Sequence, residues 1–298
     1  MAAAALRVLP RALLSRLAGR VADLPLPPAL LVPALRAYGR AFGVRFDEIR
    51  DPLPHFPTFQ QFFTRALVPG ARPIDSAPDA FVAPCDGRWG EHGIVREGTL
   101  LQVKGRPYPL AALLASERAA RTFEGGTYAT FYLAPGDYHR FHAPCDLRFV
   151  RATYVPGTLW PVNRIGLEAV DGLFAQNERI CAHATVGTGD RTKSLALVAV
   201  GATVVGRIRV AFDDRITNRA GARLEERPYP AGHPFAKGEE WGRFELGSTI
   251  VMIAEPGALE LDAREPGTAL RLGQRIGTLR WAADPPRTAR GATARHRS

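Results

Sequence analysis

Apolar side chains recur at helical spacing from the first residues: Leu6, Leu9, Leu13, Leu17 and Val21, with Arg7, Arg11, Arg16 and Arg20 between them and no acid before Asp23. Four prolines between Leu24 and Pro33 break this helix, and a second helical pattern runs from about Pro33 to Phe42, carrying Arg36 and Arg40. Asp51 to Pro57 is a turn-rich hinge, after which Thr58 stands as N-cap of a short helix in "FQQFFTRAL". The pattern then changes to strand-like runs at Thr127–Leu133, Leu147–Val155, Leu195–Val210, Ser248–Ala254 and Leu270–Trp281, separated by Gly and Pro. Only Leu110–Arg121 and Ala175–Ile180 read as helices in this part. The expectation is an α+β fold: a helical section over 1–67, a β-rich catalytic body over 68–282 and a disordered basic tail over 283–298, with no internal repeat.

Composition narrows the partners. The chain has 298 residues and a formal net charge of +10, which favours anionic partners: nucleic acid, an acidic lipid surface or anionic substrates. No nucleic-acid motif is present. Cys85, Cys145 and Cys181 form neither a disulfide framework nor a Cys-x-x-Cys pair, so they read as reduced, scattered thiols and no zinc ribbon is expected. No run of about eighteen apolar residues marks a transmembrane helix. Three readings fit the Arg-rich N-terminal helix: an interfacial membrane helix, a mitochondrial presequence, or a surface helix packed on its own core.

Candidate chemistry sits in three places. In "YLAPGDYHRFHAP", Tyr132 to Pro144, His139 and His142 lie three apart; they suit acid–base work near neutral pH, or metal ligation if Asp137 joined them. In "VAPCDG", Asp86 reads by itself as a turn aspartate. The third is Ser248 in "LGST" (246–249), which lacks the Gly-x-Ser-x-Gly pattern of the α/β-hydrolase elbow.

Seven segments in order give these residues a common context: "FFTRALVPGARPID" (62–75), "APCDG" (83–87), "DYHRFHAP" (137–144), "VPGTLWPVN" (155–163), "FAQNER" (174–179), "VGATVVGRI" (200–208) and "KGEEWGRFELGST" (237–249). Together they resemble the pyruvoyl-dependent phosphatidylserine decarboxylases, in their short bacterial form, which also matches at "SRLAG" (15–19) and speaks against a presequence. The resemblance implies a proenzyme that cuts itself between Gly247 and Ser248 into a β-chain, 1–247, and an α-chain, 248–298. It implies that Ser248 attacks the Gly247 carbonyl with His142 as base and Asp86 orienting it, and that Ser248 becomes a covalent pyruvoyl group. That group would form a Schiff base with phosphatidylserine and accept electrons as CO2 leaves, with His139 donating the proton that completes phosphatidylethanolamine. Gly247 suits the cut as a residue without Cβ that tolerates unusual backbone angles. No metal is expected.

A lipid substrate gives the basic N-terminus a purpose, as a peripheral anchor on the cytoplasmic face of the cell membrane. The β-chain/α-chain pair could further assemble as a dimer of such pairs. Pro161 and Arg207 stand where the family commonly has Ser, and Cys85 where a small or apolar residue is usual. A hydrolase using Ser248, His142 and Asp86 on an external substrate, and a non-catalytic membrane-binding protein, are the competing readings.

Overall fold

Residues 11–280, apart from 103–104, 204–206, 216, 220 and 246, are described by a computed structural model. The start of the first helix, Leu246, Trp281 and the basic tail therefore lie outside the described residues. Seven α-helices are α1 (Arg11–Ala22), α2 (Pro28–Phe42), α3 (Phe59–Phe63), α4 (Leu110–Leu114), α5 (Glu117–Thr122), α6 (Arg164–Ala169) and α7 (Leu173–Gln176) among the described residues. The strands are β1 (Ala80–Val82), β2 (Gly87–Ile94), β3 (Thr99–Gln102), β4 (Arg106–Pro109), β5 (Thr127–Leu133), β6 (Arg140–His142), β7 (Leu147–Val155) and β8 (Arg179–Val186). They continue with β9 (Lys193–Val200), β10 (Ile208–Val210), β11 (Glu225–Phe235), β12 (Glu240–Phe244), β13 (Ser248–Ala254), β14 (Leu259–Leu261), β15 (Ala269–Leu270) and β16 (Arg275–Leu279). The fold is α+β and β-rich, with its longest helices at the N-terminal end.

An eight-stranded antiparallel sheet, ordered β11-β7-β8-β9-β13-β5-β2-β15, organises the body. Side chains alternate across a strand, and on β13 the two sets enter two different cores. Ile250, Met252 and Ala254 pack with Phe81, Phe141, Trp241, Phe244 and Ile276, which come from the three-stranded sheets β1-β16-β14 and β10-β12-β6. Val251 and Ile253 pack with Leu110, Leu113, Leu173 and Phe174 from the helices on the other face. Burial on both faces explains why β5, β9 and β13 read as unbroken apolar runs rather than as alternation.

Five boundaries differ from the sequence expectation. The second helix starts at Pro28 rather than about Pro33, because Pro28 fits its first turn and Pro33 lies inside it without ending it. Leu110–Arg121 is two helices, because Ala115 takes a left-handed φ of 53° and Ser116 caps α5 by accepting from Ala119 N. Ala175–Ile180 is no helix: α7 ends at Gln176 and β8 starts at Arg179. The Leu195–Val210 run divides into β9 and β10. The Leu270–Trp281 run is cut by a turn with Gly273 at a φ of 84°.

The helical section follows its sequence signals more closely. Pro28 opens α2 at its first position and Gly43 closes it at a φ of 72°. Thr58 caps α3 by accepting from Gln61 N at 3.1 Å. Phe62, 0% exposed, is the hub, with Tyr38, Phe46, Phe56 and Phe59 around its ring at 5.7–6.4 Å. Replacing Phe62 by Ala should cost about 3–5 kcal/mol. Hydrogen exchange should show the loss as faster exchange of α2 amides while β13 amides stay protected.

Candidate active site

The site is built where the head of β13 meets the loop from Leu133 to Arg140. The backbone of Ser248 pairs with Leu133, and Thr249 pairs with Tyr132 on one side and Val200 on the other. The loop is held from the helical section. Tyr38 Oη donates to Pro135 O at 2.7 Å, and Arg65 Nη2 donates to Gly136 O and Asp137 O at 2.8 and 3.1 Å. Gly136 lies so close to α2 that a Cβ would sit 2.0 Å from Phe42 O, which requires glycine there.

His139 is fully buried, its ring 4.1 Å from that of Phe63 between centroids. Nδ1 lies 2.9 Å from Asp137 O, so this nitrogen carries the proton and donates it to the carbonyl. Nε2 then holds a free lone pair, buried and without a hydrogen-bond partner among the described residues. It lies 3.9 Å from where a Cβ on Gly247 would be. Burial pushes the His139 pKa down to about 3, and the Arg65 cation works in the same direction against the Asp137 carbonyl. Asp137 itself accepts from Ala134 N at 2.7 Å, closing the loop turn, and among the described residues no cluster of His, Cys, Asp or Glu is arranged to hold a metal.

His142 stands on β6, at the rim of a cavity of about 270 Å³ lined also by Arg72, Tyr138, Arg140, Gly238 and Glu240. Its Nδ1 is 2.9 Å from Gly238 O and its Nε2 is 3.3 Å from Tyr138 Oη. Burial lowers its pKa, while the Gly238 carbonyl and the charges of Glu240 and Asp86 oppose that shift. Burial pushes the Tyr138 phenol up to about 12, so it remains protonated and donates to Nε2.

The expected Asp86–His142 hydrogen bond is not formed. Asp86 is bound instead by Arg72, whose Nε reaches Oδ1 and Oδ2 at 2.7 and 3.0 Å and whose Nη2 reaches Oδ2 at 2.5 Å; Leu272 N adds a bond to Oδ1 at 2.9 Å. Arg72 Nη2 also pairs with Glu48 at 2.8 Å. Burial works against the Arg72 charge, but the two carboxylates outweigh it and raise its pKa. Orientation of the imidazole comes from the Gly238 carbonyl, and Asp86 acts on it through charge. The φ of Gly247 is outside the left-handed region, and a Cβ there would come within 4 Å of His139 Nε2. The structure brings His139 beside the Gly247 backbone, whereas His142 lines the cavity described above and Asp86 is bound to Arg72 and Leu272 of that cavity's lining. Sequence reasoning passed over Arg72, Tyr138 and Arg65, although all three lie inside the quoted segments. All three cysteines are buried free thiols, and Cys85 belongs to the core beneath the site.

The dry histidines set an acid limit on stability. His183, on β8, is likewise pushed down to about 3 by burial and by Arg151. A native pKa below the ordinary value of 6.5 means that only the unfolded chain takes up the proton between pH 6.5 and about 3. The stability is complete above pH 6.5 and is lost as pH falls, by at most about 1.4 kcal/mol per unit for each histidine. Urea midpoints measured from pH 7 to 4 should fall, and His183→Asn should flatten that slope without touching the site.

Comparison with known proteins shows the family. The family model described as phosphatidylserine decarboxylase matches residues 59–278. A phosphatidylserine decarboxylase proenzyme of Anaeromyxobacter sp. (strain K) is 44% identical over 276 residues, 92% of this chain and 96% of the relative. That of Myxococcus xanthus is 39% identical over 275 residues, with the same coverage of each chain. That of Shewanella loihica is 40% identical over 280 residues, 91% of this chain and 96% of the relative. With a matching family model across most of its length and relatives of this identity, the chain belongs to the phosphatidylserine decarboxylase family.

Proposed function

We propose that this protein is a proenzyme that cuts itself at Gly247-Ser248 and then converts phosphatidylserine to phosphatidylethanolamine and CO2 in phospholipid biosynthesis. The observation that carries the reading is the neutral, buried imidazole of His139 with its free Nε2 beside Gly247, at the head of a strand, in a chain of this family. In the first step the Ser248 hydroxyl gives its proton to His142 and attacks the Gly247 carbonyl carbon. The C–N bond breaks, the nitrogen takes the proton, and an ester remains. Loss of the Ser248 α-proton expels the Gly247 carboxylate. The enamine left behind tautomerises to an imine, and water releases ammonia, leaving a pyruvoyl group on the new N-terminus.

The surroundings fit such a group: a buried acceptor nitrogen, without a hydrogen-bond partner among the described residues, lies 3.9 Å from where a Cβ on Gly247 would be. A pyruvoyl group supplies a ketone for the substrate amine and a sink for the electrons left by CO2. His139 can take the proton shed by the amine at Nε2 and return it to the carbon that loses CO2, held in one tautomer by the Asp137 carbonyl. His142 is fixed by Gly238 so that Nε2 is its basic nitrogen; it exchanges the Tyr138 hydroxyl for that of Ser248 to act, and the Asp86 charge raises its proton affinity. In the mature protein, chains 1–247 and 248–298 stay together.

Access to lipid would come from the helical section. Leu17, Val21, Leu24, Leu26, Leu30 and Phe42 are exposed large apolar residues on α1, α2 and the turn between them. Arg20, Arg36 and Arg40 are exposed beside them. No helix among the described residues is long and apolar enough to cross a membrane. Peripheral docking to an anionic leaflet on the cytoplasmic face suits this surface.

Mass spectrometry of the purified chain should show two fragments, the smaller beginning with a pyruvoyl group, and Ser248→Ala should remain intact and inactive. His142→Ala should block cutting, whereas His139→Ala should cut and decarboxylate at least about a hundredfold more slowly; the reverse pattern would exchange the two roles. On vesicles containing phosphatidylserine, Leu30→Glu should sediment about tenfold less tightly than the unmodified chain.

A further inference from the structure

Arg207 stands just before β10, and the structure gives it a network of its own. Its Nε donates to Glu245 Oε2 at 2.5 Å and its Nη2 to Asp23 Oδ2 at 2.5 Å. Arg209 lies two residues on, hence on the same side of an extended chain, and its Nε donates to Glu245 Oε1 at 2.5 Å. The Glu245 amide also donates to Arg207 O at 2.8 Å, extending the β10–β12 ladder by one residue. Both carboxylate oxygens of Glu245 are thus engaged, and its side chain is only 7% exposed. Two arginines and two acids balance in charge.

Glu245 stands two residues before Gly247. Downstream of the scissile bond, β13 is laddered on both edges from Thr249 onward. Upstream, Glu245 is anchored through both its side chain and its backbone two residues before Gly247. Attack of a hydroxyl on the carbonyl immediately preceding it demands a particular rotation of the peptide, which a loose upstream segment would not keep. We propose that the Arg207–Glu245–Arg209 clamp positions the segment entering the Gly247–Ser248 bond, and that Arg207 ties this segment to the N-terminal helical section at Asp23. The proposal rests on the self-processing reading. In that step the clamp exchanges no atoms: the C–N bond breaks, the C–O bond forms, and the hydroxyl proton ends on the departing nitrogen. These are positioning residues, acting before maturation rather than on the lipid.

The arms differ in burial, which ranks their effects. The Glu245 carboxylate is only 7% exposed whereas Asp23 is 42% exposed, so salt screens the Asp23 arm more than the two arms to Glu245, whose arginines are 32% and 38% exposed. The test follows fragment appearance in the freshly translated full chain, with turnover of the purified processed fraction measured per pyruvoyl group. Glu245→Gln should slow cutting by about a hundredfold, Arg207→Ala by about tenfold and Asp23→Asn by a few-fold. Arg207→Lys should recover part of the loss, and the processed fraction of Arg207→Ala should turn over phosphatidylserine at the unmodified kcat. Melting temperatures in a Ser248→Ala background show whether each variant folds; should Glu245→Gln unfold, the Arg207→Ala and Arg207→Lys pair decides. Unmodified cutting rates in folded Glu245→Gln or Arg207→Ala, or equal losses of cutting and of kcat per pyruvoyl group, would overturn the clamp while leaving self-processing intact. An unmodified chain that never cuts would overturn the processing reading and the clamp with it.

Discussion

An uncharged imidazole kept dry against a backbone is the constraint around which this molecule is arranged. His139 offers a lone pair only because water is excluded from it, and that exclusion comes largely from outside the body: Phe63 covers the ring and Arg65 fixes its loop. A charged imidazole there would lack a counter-ion, so desolvation and the nearby guanidinium act together to keep the ring neutral. The helical section is therefore one wall of the site, and on the proposed reading it also faces lipid.

Its place as a wall of the site accounts for the polar ties between the two parts. Tyr38 binds the Pro135 carbonyl, Arg140 binds Thr64 O, Glu48 joins Arg72 beside Asp86, and Asp23 joins Arg207. Each tie runs from the helices to a residue near the candidate chemistry. Apolar packing alone would fix these helices loosely in register; directed hydrogen bonds to carbonyls and carboxylates set an orientation. A helical section oriented in this way carries its exposed leucines and the dry histidine as one unit.

How much of this could be read from the sequence varied with how local the determining physics was. The bounds of β5, β7 and β13 matched because their apolar runs report burial directly. β11 was missed because it is an edge strand, largely exposed and carrying Pro228, Pro230 and Pro234, which an edge tolerates and an interior strand would not. The Ser116 cap that divides α4 from α5 was a legible signal hidden inside an apolar pattern. The residues of the candidate site were legible through their motifs, but their pairing was not. Nothing local to Asp86 says that Arg72, fourteen residues earlier, takes both its oxygens, or that a glycine carbonyl ninety-six residues past His142 orients that ring.

The interior position of β13 has a consequence for the molecule after cutting. Opening the chain before Ser248 would release no piece, because the new chain would supply a strand bonded on both sides and, through β16, a partner for β1. The mature protein would be a fragment complex, held by the same sheet that folded as one chain. Folding before the cut is a unimolecular event; reassembly after denaturation would be bimolecular and dependent on concentration. The cut would thus convert a reversible fold into a history-dependent one, trapped in the shape it had when the bond opened.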